Sequence, residues 1–392
     1  MITAYLLNKQ GHNVELFEKS ETLGGNILTL NKNISPNRVN SDLLLEGGVI
    51  EFSNSFVHFK SLLEELEISY ESVDIGTGVF YKNGKFILSS IMSRNNLTGF
   101  SLFKSTVKLY ILYLKSFLLG IKLKMLRLSK ARHLSLKALL GKDTPGTNWL
   151  KLFMMYSYST DYRLLNDFSG EIALQNLRNY MLAGWFRIPG GVYTYIERII
   201  ALYKGKIHRN SEVKKVLRED QGVTLEIENG QNLHFDKVVF AIPPHQIINV
   251  LQEPTSEESF CLKRWKGNKI TTIIHHDDNL YEPYPIKQPS EFDFFETESG
   301  WGYNAVLNNL CDIATLPKYF LSYNLEGLID PQKILHVANH ETPLYMQNAV
   351  QYRSRLIDMN GNKNTYFAGA WLYDGLHEGA TISAMRVADL IK

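Results

Sequence analysis

The stretch from Asn364 to Lys392, NTYFAGAWLYDGLHEGATISAMRVADLIK, constrains the fold most. Thr365 to Ala368 reads as a short apolar strand. Gly369 to Gly379 is a turn-rich loop carrying Trp371, Tyr373, His377 and Glu378. Ala380 to Ile391 then reads as a closing helix, with Ile382, Met385, Val387, Ala388 and Ile391 apolar at roughly helical spacing. A strand that runs through a glycine loop into a helix aims backbone N–H groups and the positive end of a helix dipole at one point. Such a point suits an anion, or a cofactor oxygen that gains electron density on reduction. The plain alternative is a C-terminal helix docked on its own domain.

The other end of the chain favours the cofactor. Met1 to Gln10 predicts a helix stopped by Gly11. His12 to Phe17 predicts a strand that ends in Glu18. Helix, glycine turn, strand and acid make the second half of a dinucleotide-binding βαβ unit, in which the acid accepts hydrogen bonds from ribose hydroxyls. Leu23-Gly24-Gly25-Asn26 follows, a turn where backbone can approach a cofactor closely. The first strand and its G-x-G-x-x-G turn are not in the sequence. Met1 therefore reads as an internal methionine taken as the start, or as a true truncation.

Together the two ends resemble the flavin-dependent amine oxidase superfamily, which also holds protoporphyrinogen oxidases and carotenoid-type desaturases. The matching pieces are YLLNKQGHNVELFEKSETLGGN, IPGGVYTYIERI, KVVFAIPP, NKITTIIHHDD and YFAGAWLYDGLHEGATISAM. The resemblance implies an α/β fold, with a Rossmann-like FAD-binding domain interleaved with a mixed-sheet plus helical substrate domain. The FAD domain would take residues 1–75, 191–252 and 356–392, and the substrate domain 76–190 and 253–355. Glu18 would hold the adenosine ribose, Gly24 and Gly25 would line the flavin side, and the Val213 backbone would meet the adenine. Gly369 would approach the pyrophosphate or ribityl chain. Gly379, Ala380, Thr381 and Ile382 would bring the helix N-terminus to the flavin pyrimidine ring. The sequence departs from the family at Asn26, where Arg is common, and at Leu376-His377-Glu378-Gly379, where relatives often read F-H-E-D.

Composition adds limits. A chain of 392 residues is long enough for two domains, and a net charge of +2 gives no reason to expect nucleic acid. Cys261 and Cys311 have neither metal spacing nor redox pairing, and no signal peptide is visible, so a cytoplasmic protein with buried thiols is expected. Phe100 to Leu128 is the most apolar segment, but Lys104, Lys108, Lys115, Lys122 and Lys124 interrupt it, so it does not read as a membrane span. The commoner reading is a helix packed in the substrate domain with its lysines in water. The sharper one is a basic amphipathic helix that touches a membrane surface or admits a lipid. Elsewhere, Leu43 to Phe52 reads as a strand, Phe56 to Leu66 as a helix, and Gly78 to Leu88 as a hairpin turning on Asn83-Gly84. Ile188-Pro189-Gly190-Gly191 breaks the chain before a helix, and His340 to Tyr345 reads as a turn.

A flavin performs the redox step itself, so few catalytic side chains are needed. His377 and Glu378, beside the expected flavin, are the acid–base candidates; the competing reading is a structural hydrogen bond that fixes the loop. Lys269 would hold a water near flavin N5, as a lysine does in some relatives. Trp371 and Tyr373 would wall the pocket or pack the core. His275-His276-Asp277-Asp278 looks like a metal cluster. Adjacent strand residues point to opposite faces, however, and ligand spacing is lacking, so no metal is expected. The expected function is oxidation or desaturation of a small or lipid-like substrate by hydride transfer to FAD N5. The alternatives are an amine oxidase, and a remnant that does not retain FAD.

Overall fold

The computed structural model describes residues 1–35, 42–314 and 316–391. Four short strands make the parallel layer. Glu15–Phe17 pairs with Lys206–His208, and Val238–Phe240 pairs with Thr365–Phe367. These are two separate ladders, not one continuous sheet. They are tied together through apolar side chains: Leu7, Tyr366, Ala368, Val387, Ala388 and Ile391 form one cluster, with Val14 and Val239 against it. The helix Ile2–Lys9 packs on the closing helix His377–Leu390. Ile2 and Tyr5 share a cluster with Ala384 and Leu376, whereas Leu7 sits with Val387 and Ile391. This order sets the two helices side by side in the same direction.

The larger sheet has seven strands in the order Ile334–Pro343, Gly267–His275, Phe320–Tyr323, Gly300–Val306, Phe292–Thr297, Thr77–Phe80 and Phe86–Leu88. All neighbours are antiparallel except Phe292–Thr297 beside Thr77–Phe80. Here the expectations need correction. His340 to Tyr345 is not a turn: Ile334–Pro343 is an edge strand paired along the whole of Gly267–His275. An edge strand with one wet face carries few apolar residues, which hides it in the sequence. Phe292–Thr297 is buried without alternation, so periodicity does not mark it. Leu43 to Phe52 contributes only Phe52–Ser53 as strand. The rest is irregular because Gly47 and Gly48 are wedged against neighbours. Gly47 N donates to Leu28 O at 2.7 Å and Gly47 O accepts from Thr272 Oγ1 at 2.6 Å, while a Cβ on Gly48 would lie 2.2 Å from Asn26 O.

The helical region follows the hairpin. Gly99–Met125 is its longest element, succeeded by Leu136–Leu140, Pro145–Tyr158 and Gly170–Asn179. Thr144 and Thr147 form a capping box at the head of Pro145–Tyr158. Arg178 closes the tail of Gly99–Met125, donating from Nε to Leu123 O at 2.7 Å and from Nη2 to Lys124 O at 2.9 Å. A cation at a helix C-terminus satisfies orphan carbonyls and the dipole together. Among the described residues no helix is long and apolar enough to cross a membrane.

The acid and histidine run beyond Gly267–His275 is an anchor. His275 is fully buried against Ser322 Oγ at 2.9 Å. Asp277, also buried, accepts from Lys333 Nζ at 2.9 Å, Asp330 N at 2.8 Å and Asn279 N at 3.1 Å. Among the described residues no three His, Cys, Asp or Glu side chains gather as a metal set. Asp277→Ala would strand those donors, and unfolding in urea should show a loss of about 2–3 kcal/mol. An unchanged midpoint would contradict this anchoring.

Candidate active site

The nucleotide side is built where the first strand ends. Glu18 N donates to His208 O at 2.9 Å, and Glu18 Oε1 accepts from Ser20 N at 2.9 Å, which holds the carboxylate at the strand tip. The Met1 amine, at the head of the first helix, lies in the field of Glu18. Burial pushes that amine down from its ordinary value and Glu18 partly opposes the shift. Gly24 and Gly25 have φ of 106° and 61°. A Cβ on Gly24 would meet the Tyr193 ring at 3.1 Å, whereas the same position on Gly25 looks into open space. Asn26 turns its amide to Glu341 O at 3.3 Å. Val213 opens the strand Val213–Glu219 opposite Ile227, beside an irregularity of register.

The C-terminal loop comes next. Gly369 has φ of 143°, donates its N–H to Ser383 Oγ at 2.9 Å, and would place a Cβ 2.7 Å from the Trp371 indole. The Trp371 and Trp265 rings meet edge to face at 5.5 Å. Both indole N–H groups and the Tyr373 hydroxyl are buried without a hydrogen-bond partner. The closing helix starts at His377, three residues earlier than expected. Asp374 is the cause: its Oδ1 accepts from Leu376 N at 2.8 Å and Gly379 N at 2.9 Å, closing the turn ahead of the helix. Gly379 is thus in the first turn, while Ala380, Thr381 and Ile382 lie just inside the helix, with Thr381 Oγ1 bonded back to His377 O at 2.9 Å. Asp374 also takes the Tyr180 hydroxyl at 2.7 Å, and burial raises its carboxyl above the usual range. The Asp-Gly turn signal pointed to this residue; the adjacent His-Glu pair drew attention from it.

The acid–base candidates sit apart from one another. His377 is enclosed by Phe52 and Phe59 at 4.9 and 5.1 Å and bonded to Tyr195 OH at 3.2 Å, and burial pushes its imidazole down to about 4. Glu378 reaches away, accepting from His58 N and Phe59 N at 3.0 Å each and pairing with His58 Nδ1 at 2.6 Å. Both its oxygens cap the helix Val57–Glu65. Lys269 is exposed on the large sheet, opposite Glu341. No contact among the described residues joins it to His377 or Glu378.

Two buried carboxylates escaped the sequence reading. Glu46 accepts from Thr29 Oγ1 at 2.8 Å and Val192 N at 2.7 Å, and burial lifts it to about 8. It locks the Pro189-Gly190-Gly191 break onto the segment after the glycine turn. Glu51 is touched by the Tyr156 hydroxyl, has Oε2 unpartnered, and is raised by burial to about 7. Tyr156 stands edge-on to Tyr303 at 5.2 Å, and Tyr303 lies 5.3 Å from Tyr323. An acid inside the apolar run LLLEGGVIEF was the available signal.

Residues 1–267 match the family model described as flavin containing amine oxidoreductase. The chain belongs to this family. Among solved structures, putrescine oxidase bound to putrescine is 13% identical over 100% of this chain and 96% of that one, with a TM-score of 0.68. The CLA-producing fatty acid isomerase from P. acnes is 12% identical over 100% and 95%, with a TM-score of 0.68. Cyclohexylamine oxidase from Brevibacterium oxydans IH-35A is 13% identical over 100% and 96%, with a TM-score of 0.67. At such identities the likeness is one of fold: a Rossmann-like domain interleaved with a mixed-sheet plus helical domain. No curated protein matches the chain. Membership of the amine oxidoreductase family makes the chain a flavin-dependent oxidoreductase.

The residues present fit a flavin. Indole N–H groups near Gly369 without a partner among the described residues, and the N-terminus of the closing helix, suit a group rich in phosphate and carbonyl oxygens. The enclosed histidine also fixes a pH dependence. Unfolded, His377 takes up a proton below about 6.5, while folded it stays neutral to about 4, so its stabilisation is lost as pH falls through that window. Moving from pH 7 to pH 5 should cost about 1–2 kcal/mol through His377, and His377→Gln should remove that part of the slope in urea titrations. Glu378→Ala should cost about 1–2 kcal/mol as a lost helix cap, measured the same way.

Proposed function

We propose that the chain is an FAD-dependent oxidoreductase that oxidises or desaturates a small or lipid-like substrate. The observation that carries the reading is the head of Ile2–Lys9 in the field of the Glu18 carboxylate, on a helix that packs against the closing helix. In this reading Glu18 accepts from the ribose hydroxyls and the Val213 backbone meets the adenine. Gly24, Gly25 and Gly369 let backbone come close to the pyrophosphate and ribityl chain. The first turn of the closing helix, with Gly379 to Ile382 behind it, presents its positive end to the electron-rich pyrimidine edge. Trp371 donates from Nε1 and excludes water. Bound FAD supplies a hydride acceptor at N5. Lys269 holds a water on that side; His377 orients the aromatic wall of Phe52 and Phe59, and Glu378 steadies it through the Val57–Glu65 cap. The reading includes a cytoplasmic location with a peripheral membrane contact through residues 100–128.

A second reading, an amine oxidase, is favoured by Glu51. A buried carboxylate with one unpartnered oxygen, flanked by Tyr156 and Tyr303, suits an ammonium group or the aromatic cage that such enzymes use. The two readings separate in one assay. The chain reconstituted with FAD is mixed anaerobically with amines and, separately, with unsaturated lipids, and bleaching of the visible flavin band is followed. Bleaching by lipids supports the first reading. Bleaching by amines alone, lost in Glu51→Gln, moves the assignment to the second. Bound FAD that no substrate reduces would support the non-catalytic alternative. Glu18→Ala should weaken FAD binding about tenfold or more, the worth of a charge-assisted hydrogen bond. Unchanged affinity would remove Glu18 from the nucleotide site.

A further inference from the structure

The helix Gly99–Met125 carries two apolar stripes. One holds it to the fold. Leu102, Ser105, Leu109, Leu112 and Ser116 recur every three or four residues, Leu123 follows two turns on, and all are buried or half-buried, with Ser116 against Gly146 of the helix Pro145–Tyr158. The other runs along the opposite side at the same period, through Phe103, Val107, Tyr110, Leu114, Phe117 and Ile121. Nothing among the described residues covers it: Phe103, Tyr110, Leu114 and Phe117 keep 64%, 75%, 70% and 61% of their surface exposed. A helix of 27 residues is about 40 Å long. The apolar row from Phe103 to Ile121 takes up about 27 Å of it, well beyond the scattered hydrophobes of an ordinary surface.

We propose that this outer face docks on the surface of an anionic lipid bilayer, with the helix lying in the plane of the headgroups. Charge selects this occupant. From Ile75 to Lys142 the chain has no Asp or Glu, yet it has thirteen Lys and Arg. Lys104, Lys108 and Lys115 flank the outer stripe and have no acidic partner among the described residues. Lys122 is turned inward to Leu139 O at 2.9 Å and is excluded from the contact. A bare apolar stripe bordered by unpaired lysines matches an interfacial helix, whose apolar face sinks about 5–10 Å to the headgroup boundary. The helix does not qualify as a span. A two-fold contact with a second copy would set these lysines against lysines, with no acid on the segment to relieve them. The proposal rests on the membrane contact in the reading above and is independent of its redox part.

The test is co-sedimentation of the full chain with vesicles of phosphatidylcholine alone and of phosphatidylcholine mixed with phosphatidylglycerol. The expected result is binding to the mixed vesicles that weakens with salt. The triple variant Lys104→Gln, Lys108→Gln, Lys115→Gln should bind on the order of a hundredfold more weakly, about fivefold per cation. The variant Phe103→Ser, Leu114→Ser, Phe117→Ser should lose binding while melting at the same temperature, because those side chains touch solvent and not the core. Absence of binding to both vesicles, or unchanged binding by the serine variant, would overturn the proposal. So would a dimer in sedimentation velocity that the serine variant dissolves, since a second copy would then own the face. The visible spectrum of the same samples reports flavin separately, so a failure to dock and a failure to bind FAD are distinguishable.

Discussion

The return of the chain's end onto its beginning holds the cofactor side together. The closing helix buries Ala384, Val387, Ala388 and Ile391 against the first helix and the strand Thr365–Phe367. Fully buried aliphatic side chains such as Val387 and Ile391 contribute about 1.5–3 kcal/mol each. The parallel layer is only two three-residue ladders, so hydrogen bonding between strands does little to fix their relation. The helix pair does it. Because the two helices run in the same direction, their dipoles point the same way.

Buried carboxylates then set the angles at which the pieces meet. Asp374 starts the closing helix, Glu378 caps Val57–Glu65, Glu46 pins the Gly191 break, and Asp277 anchors the end of the large sheet. Each takes at least two donors, which keeps a buried acid from being a liability. Glu51 differs from these four, because one of its oxygens has no partner among the described residues, as is also true of Glu171 and Asp293.

The α/β class, the helix and strand at the start and the strand–loop–helix at the end were legible, because glycine stops and apolar periodicity are local signals. The Gly78–Leu88 hairpin was legible from Asn83-Gly84 for the same reason. Ile334–Pro343 was not, because an edge strand of mixed polarity has no local signature; only its pairing with Gly267–His275 makes it a strand. The true start of the closing helix was hidden because Asp374 acts from outside the helical run. His377 and Glu378 were visible as a motif, but their directions were not. One enters an aromatic box and the other caps a distant helix, and only tertiary contacts decide that. The two stripes of Gly99–Met125 were readable as apolar positions, yet which stripe the protein covers depends on Gly146 and its helix.

The central claim is that the closing helix's N-terminus, the glycine turns and Glu18 hold a flavin nucleotide. The most direct measurement is the visible absorbance spectrum of the purified chain, alone and during titration with FAD. The account predicts a saturating spectrum with resolved, shifted flavin bands, accompanied by quenching of tryptophan fluorescence that Trp371→Phe diminishes. A folded chain whose added FAD keeps the spectrum of free flavin, with no quenching, would contradict it.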